Sequence, residues 1–192
     1  CRQIFLEENC CTLGKINKNN KKNILFYAGD LNQNGITTAF CSMMKYVDKS
    51  RYNYYISFRM QSVKAEPERT KRIPENVGVF PISSEMNMDL LTGFAQLFYI
   101  KAGCKGRLIM RRLHRAYKRE WRKHFGNVGF EHVIHYNGYE AYITSLIEQA
   151  PCKNTIWVHN DMEREIALKK NHSRYLLEDV YKSYDNVVIV SE

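Results

Sequence analysis

Two short stretches place ligand-binding side chains just after apolar runs, where a strand would hand over to a helix. Trp157-Val158-His159-Asn160-Asp161-Met162 sets an imidazole at the carboxyl end of such a run. A polar ring there needs a partner, and a bound ligand is a natural one beside a purely structural hydrogen bond. Asn160 and Asp161 can each cap the helix that follows, because either side-chain oxygen accepts from a free N–H. Asp161 therefore reads as a cap or as a catalytic carboxylate. His135-Tyr136-Asn137-Gly138-Tyr139 has the same form one strand earlier. Gly138 suits a tight turn, and Asn137 and Tyr139 can hydrogen-bond a polyol or sugar or simply close that turn.

A third loop, Gly29-Asp30-Leu31-Asn32-Gln33-Asn34-Gly35, follows the first apolar run and leads into Ile36-Thr37-Thr38. Free N–H groups at a helix N-terminus favour an anion, and a glycine there lets backbone approach a phosphate. The loop is neither G-x-G-x-x-G nor a P-loop, so an Asn-Gly turn with a helix cap is an equal reading.

A different chemistry sits in Lys105–Phe125. Cations Arg107, Arg111, Arg115, Lys118 and Arg122 share one helical stripe, with Glu120 as the single acid of the segment. Ile109, Leu113, Ala116, Tyr117 and Trp121 recur every three or four residues on another. Such a helix lies on an anionic membrane, binds an anionic polymer, or presents a solvated face. No RNA-binding signature accompanies it, and nucleic acid is not the expected partner. The net charge of +9 also favours a polyanionic partner without choosing one.

The elements that must position these residues alternate. Strands are predicted over Ile24–Ala28, Tyr52–Met60, Val77–Ile82, His132–Tyr136, Thr155–His159 and Asn186–Ser191. Pro81 suggests that the third ends there or lies near an edge. Helices are predicted over Ile36–Val47, Met88–Ile100, Lys105–Phe125, Tyr139–Gln149 and, as one long helix, Asp161–Tyr184. Residues 61–76, with Pro67 and Pro74, read as loop. The apolar run Leu90–Ile100 falls short of the roughly 20 residues that span a bilayer, and is a core or an interfacial helix. Alternation of this kind predicts an α/β fold, a Rossmann-like parallel sheet with helices on both faces.

The chain has 192 residues, 44% hydrophobic and 26% charged, enough for one globular domain with its own core. Residues 1–22 read as a linker or appendage, with one or two helical turns over Gln3–Asn9 and a basic run from Lys15 to Lys22. The domain is expected over 23–192. The chain starts at Cys1 and shows no secretory leader, as expected of a piece of a longer protein. Six cysteines, Cys1, Cys10, Cys11, Cys41, Cys104 and Cys152, include no Cys-x-x-Cys pair and read as free thiols in a reducing compartment. No metal and no cofactor are implied.

The ordered set resembles a known family. A strand, glycine-containing loop and helix open it; a strand, His159 and helix follow late; and Val187-Val188-Ile189-Val190-Ser191 closes it. Over 23–192 it is similar to the N-terminal domain of retaining GT-B glycosyltransferases of the group 1, or family 4, type. It looks most like bacterial members that build teichoic acids and surface polysaccharides. The resemblance implies an acceptor-side domain facing a C-terminal domain that binds a nucleotide-sugar, here a substrate. Gly35 matches the loop near the donor phosphates, although many members have Gly-Gly where this chain has Asn34-Gly35. His159 matches the family histidine beside the donor sugar. Asn34, Thr37, Tyr136, Asn137, Gly138 and Asn160 are expected to contact donor or acceptor. The family's paired glutamates, spaced eight apart, belong to the second domain, and the Asp-x-Asp metal site of the other glycosyltransferase fold is absent.

The resemblance further implies a glycopolymer or lipid-linked acceptor, a cytoplasmic enzyme peripheral to the inner face of the membrane, and no activity for this half alone. The alternatives are part of a CDP-polyol phosphotransferase, a non-catalytic module for anionic polymer or membrane, and an RNA-binding α/β domain.

Overall fold

The structure is a computed structural model and describes residues 19–74, 77–83, 86–126, 128–138, 140–169 and 174–190. The expected appendage up to residue 18, with Cys1, Cys10 and Cys11, lies outside the described residues, as do Tyr139 and Ser191. Six strands are present: β1 (Lys22–Tyr27), β2 (Tyr52–Arg59), β3 (Gly78–Ile82), β4 (His132–His135), β5 (Lys153–Val158) and β6 (Asn186–Ile189). They form one sheet in the order β3-β2-β1-β4-β5-β6. Every neighbouring pair is parallel. The chain winds outward from β1 to β3, then returns to the other side of β1 and winds outward again. This is the doubly wound, Rossmann-like order.

Helices cover both faces: α1 (Gly35–Tyr46), α2 (Met60–Ala65), α3 (Leu90–Ala102), α4 (Arg107–Phe125), α5 (Ala141–Glu148), α6 (Met162–Lys169) and α7 (Arg174–Ser183). Successive strand side chains point to opposite faces, so Leu25 and Tyr27 of β1 feed one core, and Phe26 and Ala28 the other. The larger core packs against Leu113, Tyr117, Trp121 and Phe125 of α4 and Ile143, Leu146 and Ile147 of α5. The smaller packs against Phe40 and Met44 of α1 and Val63 of α2. A strand buried on both faces must be apolar nearly throughout, which is why these strands read as continuous apolar runs.

Two expectations need correction. Residues 61–76 are not a plain loop. Val63 is fully buried and anchors α2, and Pro67 opens a 3-10 helix over Pro67–Arg72. Proline is accommodated in a first helical turn because its missing N–H has no intrahelical partner there. The helix expected over Asp161–Tyr184 is described as α6 and α7, and 170–173 between them lie outside the described residues. The helix expected from Tyr139 starts at Ala141. Pro81 lies inside β3, one of the two edge strands, where a missing N–H can face away from β2. Among the described cysteines, Cys41, Cys104 and Cys152 are free thiols.

Candidate functional site

The reversal of strand order puts the topological switch between β1 and β4, and ligands of open α/β sheets bind outside the carboxyl ends there. The β1 loop, the β4 turn and the end of β5 are in contact at this edge. Gly29 has φ +74°, and a Cβ on it would stand 2.7 Å from the Asn137 side chain. Gly138 has φ +73°, and a Cβ on it would stand 1.7 Å from the Trp157 carbonyl oxygen. Glycine at 138 is thus required by the close passage of the β4 turn over β5. His159, one residue past β5, reaches back with Nε2 to the Tyr136 carbonyl at 2.8 Å. A carbonyl only accepts, so the proton sits on Nε2 and Nδ1 is left as an acceptor. Burial lowers the His159 pKa below its usual value, against the raising effect of that hydrogen bond, which keeps the ring neutral. Its ring stacks on Trp157, with centroids 5.9 Å apart and planes 24° apart.

Behind this edge lies a polar cluster that the residue patterns did not reveal. Glu140 accepts from the Tyr27 hydroxyl at 2.9 Å and the Asn137 amide at 3.0 Å, and pairs with Arg59 of β2. Burial, reinforced by the Glu140 charge, pushes the Tyr27 phenol well above its usual pKa, so it remains a donor. His135 is fully buried below it. Nδ1 accepts from the Gly138 N–H at 3.1 Å, so Nε2 is the donor toward Thr144 Oγ1, also 3.1 Å away. Thr144 in turn donates to the Glu140 carbonyl at 2.8 Å. The β4 turn is therefore held by an unbroken chain of partners. A lone Glu and a strand-terminal Arg gave no periodic signal by which to find this cluster.

The β1 loop is fixed from outside. Its Gly29 carbonyl accepts from the Arg59 N–H at 2.8 Å, its Asp30 carbonyl from Arg69 at 2.9 Å and its Leu31 carbonyl from Arg72 at 2.5 Å. Leu31 is buried with φ 55°, a conformation unusual for a branched side chain. Arg69 and Arg72 come from the charged stretch read as loop.

The expected site residues divide. Asn34 is the N-cap of α1, its Oδ1 accepting from the Thr37 N–H at 2.9 Å. Gly35 is exposed with nothing within 4 Å of an added Cβ, so neither backbone nor packing demands glycine. Thr37 is buried, and Tyr136 is buried against Phe40, Trp157 and His159. The Tyr136 ring is a packing element, and its carbonyl is the part turned to His159. Asn137 is buried and committed to Glu140. Asn160 is half-buried beside His159. Asp161 caps α6, accepting from the N–H groups of Glu163 and Arg164. Arg107, Arg111, Arg115, Lys118 and Arg122 are all exposed on α4.

Two large hollows lie among the described residues. One of about 800 Å³ runs along α1 and the 3-10 helix, lined by Thr37, Thr38, Ser42, Lys45, Lys71 and Arg72 among others. The other, about 690 Å³, lies between α3 and α4. His159 lines neither of them. Among the described residues, no three His, Cys, Asp or Glu side chains gather as metal ligands would, and no helix is long and apolar enough to cross a membrane.

No family model and no curated relative matches the chain. Among solved structures it is similar to Arabidopsis thaliana UGT89C1 complexed with UDP, at 10% identity and a TM-score of 0.42, covering 89% of this chain and 42% of that one. The same protein complexed with UDP-L-rhamnose matches at 10% identity and a TM-score of 0.43, covering 90% and 46%. The chain thus spans less than half the length of these structures.

Proposed function

We propose that this chain is the acceptor-side half of a retaining GT-B glycosyltransferase, with residues 1–22 as an appendage, 23–192 as the domain, and a C-terminal donor-binding domain completing the site. The observation that carries the reading is the convergence of the β1 loop, the β4 turn and His159 on one edge of a doubly wound parallel sheet. An edge of this kind suits one side of a cleft closed by a second domain. Gly35, whose glycine the fold does not require, faces the donor diphosphate with the first N–H groups of α1. Asn34 and Thr37 hold that turn. His159 receives a hydroxyl of the donor sugar on Nδ1, oriented by the Tyr136 carbonyl, with Asn160 beside it. Asn137 and Gly138 shape the β4 turn against the acceptor. Retaining transfer of this type needs no protein nucleophile: the incoming hydroxyl and leaving phosphate share one face of the sugar, and the protein stabilises the developing diphosphate charge.

The acceptor is a cell-envelope glycopolymer or lipid-linked saccharide, as in teichoic acid or surface polysaccharide synthesis, and the enzyme works at the inner face of the membrane with α4 toward a polyanion. Transfer and hydrolysis assays with UDP-, GDP- and CDP-linked sugars test this reading, run on the two-domain protein beside this chain. Turnover by the longer protein and none by this chain is expected. Silence across every donor, or undiminished turnover by His159→Ala, overturns the assignment. Transfer of a polyol phosphate from a CDP-polyol would instead establish the phosphotransferase.

A further inference from the structure

Helix α3 is packed with its bulkier face outward. Its buried positions are Thr92, Ala95 and Tyr99. On the opposite face Leu90 is 83% exposed, Leu91 66%, Phe94 57%, Leu97 52% and Phe98 53%. These positions recur at helical spacing, so they form one continuous stripe. Leu108, in the first turn of α4, is 81% exposed and sits on the same stripe of its helix as Arg111 and Arg115. The helices pack together through the Arg112–Asp89 ion pair and the Arg112–Thr92 hydrogen bond. The hollow between them is lined by Leu91, Ala95, Leu108, Arg111 and Arg115. Lys105, just before α4, and Arg112 and Lys123 on it have carboxylate partners, whereas Arg107, Arg111, Arg115, Lys118 and Arg122 form no ion pair among the described residues.

We propose that α3 and α4 together dock this protein on an anionic lipid bilayer, with the α3 stripe entering the acyl boundary and the α4 cations holding the headgroups. This names the partner of α4 within the functional reading above and rests on that reading only for the polyanion. A hydrophilic glycopolymer would offer the Leu and Phe side chains nothing to bury against. A second copy paired through α3 would bring two sets of α4 cations together, which like-charge repulsion opposes. Thirteen residues are too few to span a bilayer, so α3 lies in the interface plane.

The test is flotation of the full chain with vesicles of phosphatidylcholine alone and of phosphatidylcholine with phosphatidylglycerol. Binding to the anionic vesicles only, weakening with salt, is expected. Phe94→Asp with Phe98→Asp weakens it by about tenfold or more; Arg111→Glu with Arg115→Glu does so by a similar factor. Phe98→Trp is a gain-of-signal variant: its added fluorescence shifts blue and is quenched by brominated acyl chains. Circular dichroism checks that the variants fold. Equal binding to neutral vesicles, no binding to either, or anionic binding untouched by the Phe substitutions overturns the proposal, as does a lipid-free dimer that the Phe94→Asp/Phe98→Asp variant abolishes. Binding is read without nucleotide sugar, so it decides the docking surface whatever the donor panel returns.

Discussion

At the strand ends, polar side chains are tied to one another: Glu140 holds Tyr27, Asn137 and Arg59, His135 holds the Gly138 N–H, and His159 holds the Tyr136 carbonyl. Along the outer faces of α3 and α4, five large apolar side chains and five cations stand without such partners among the described residues. The first region satisfies most of its polar groups internally; the second presents its side chains outward. Substitutions should therefore disturb folding in the first region and association in the second.

The largest effect is expected at Gly138. Alanine there meets both a positive φ and a carbonyl oxygen 1.7 Å from its Cβ, so Gly138→Ala should lower stability by about 3 kcal/mol or more in urea unfolding. Gly35→Ala sharpens the contrast. It should leave stability within about 1 kcal/mol, since nothing crowds that position, yet reduce donor turnover in the two-domain protein. Next is Glu140→Ala, which strands Arg59 and Tyr27. Arg59 retains some solvent contact, so a loss of about 2 kcal/mol is expected, less than for a fully buried pair. Asn34→Ala removes a helix cap and should cost about 1 kcal/mol. At the low end, Phe94→Ser should stay within about 0.5 kcal/mol by thermal melting. A large loss there would break the comparison by showing that α3 supports the core.

The pH dependence of turnover gives a further test. Burial depresses the His159 pKa, so its neutral form persists below the usual value of about 6.5. The Nδ1 acceptor is present above the depressed pKa and is lost as pH falls through it. The unfolded chain binds the proton first, so the stability contribution also shrinks as pH drops from about 6.5 toward the folded value. A turnover profile that declines already above pH 6.5 would remove His159 from the donor contact.

Most of the sheet was legible because strands buried on both faces must be apolar. Ile24–Ala28 and Thr155–Val158 announce themselves, and the stripe of α4 has an unmistakable period. The residues of the edge were legible where they sit at strand ends, as His159 and Gly138 do. Glu140, Arg59 and Tyr27 were not, because each is an isolated polar residue whose partners come from three different strands and turns. Arg69 and Arg72 were hidden for another reason: they pin a loop through its carbonyls, and no spacing rule describes a contact of about 40 positions. The outward stripe of α3 shows the converse limit. Its apolar run was visible, but the side facing the core is set by Thr92 and Ala95, small residues that let α4 approach.

The two margins of the sheet also differ. Pro81 removes a donor from β3, so that rim cannot offer a complete hydrogen-bonding ladder. At the other rim, β6 carries exposed Val187 and Ile189, with exposed Val190 just after it, and no proline. Pairing with a further strand is consequently opposed by a missing donor at β3 and by no proline at β6, which makes the two rims unequal as templates.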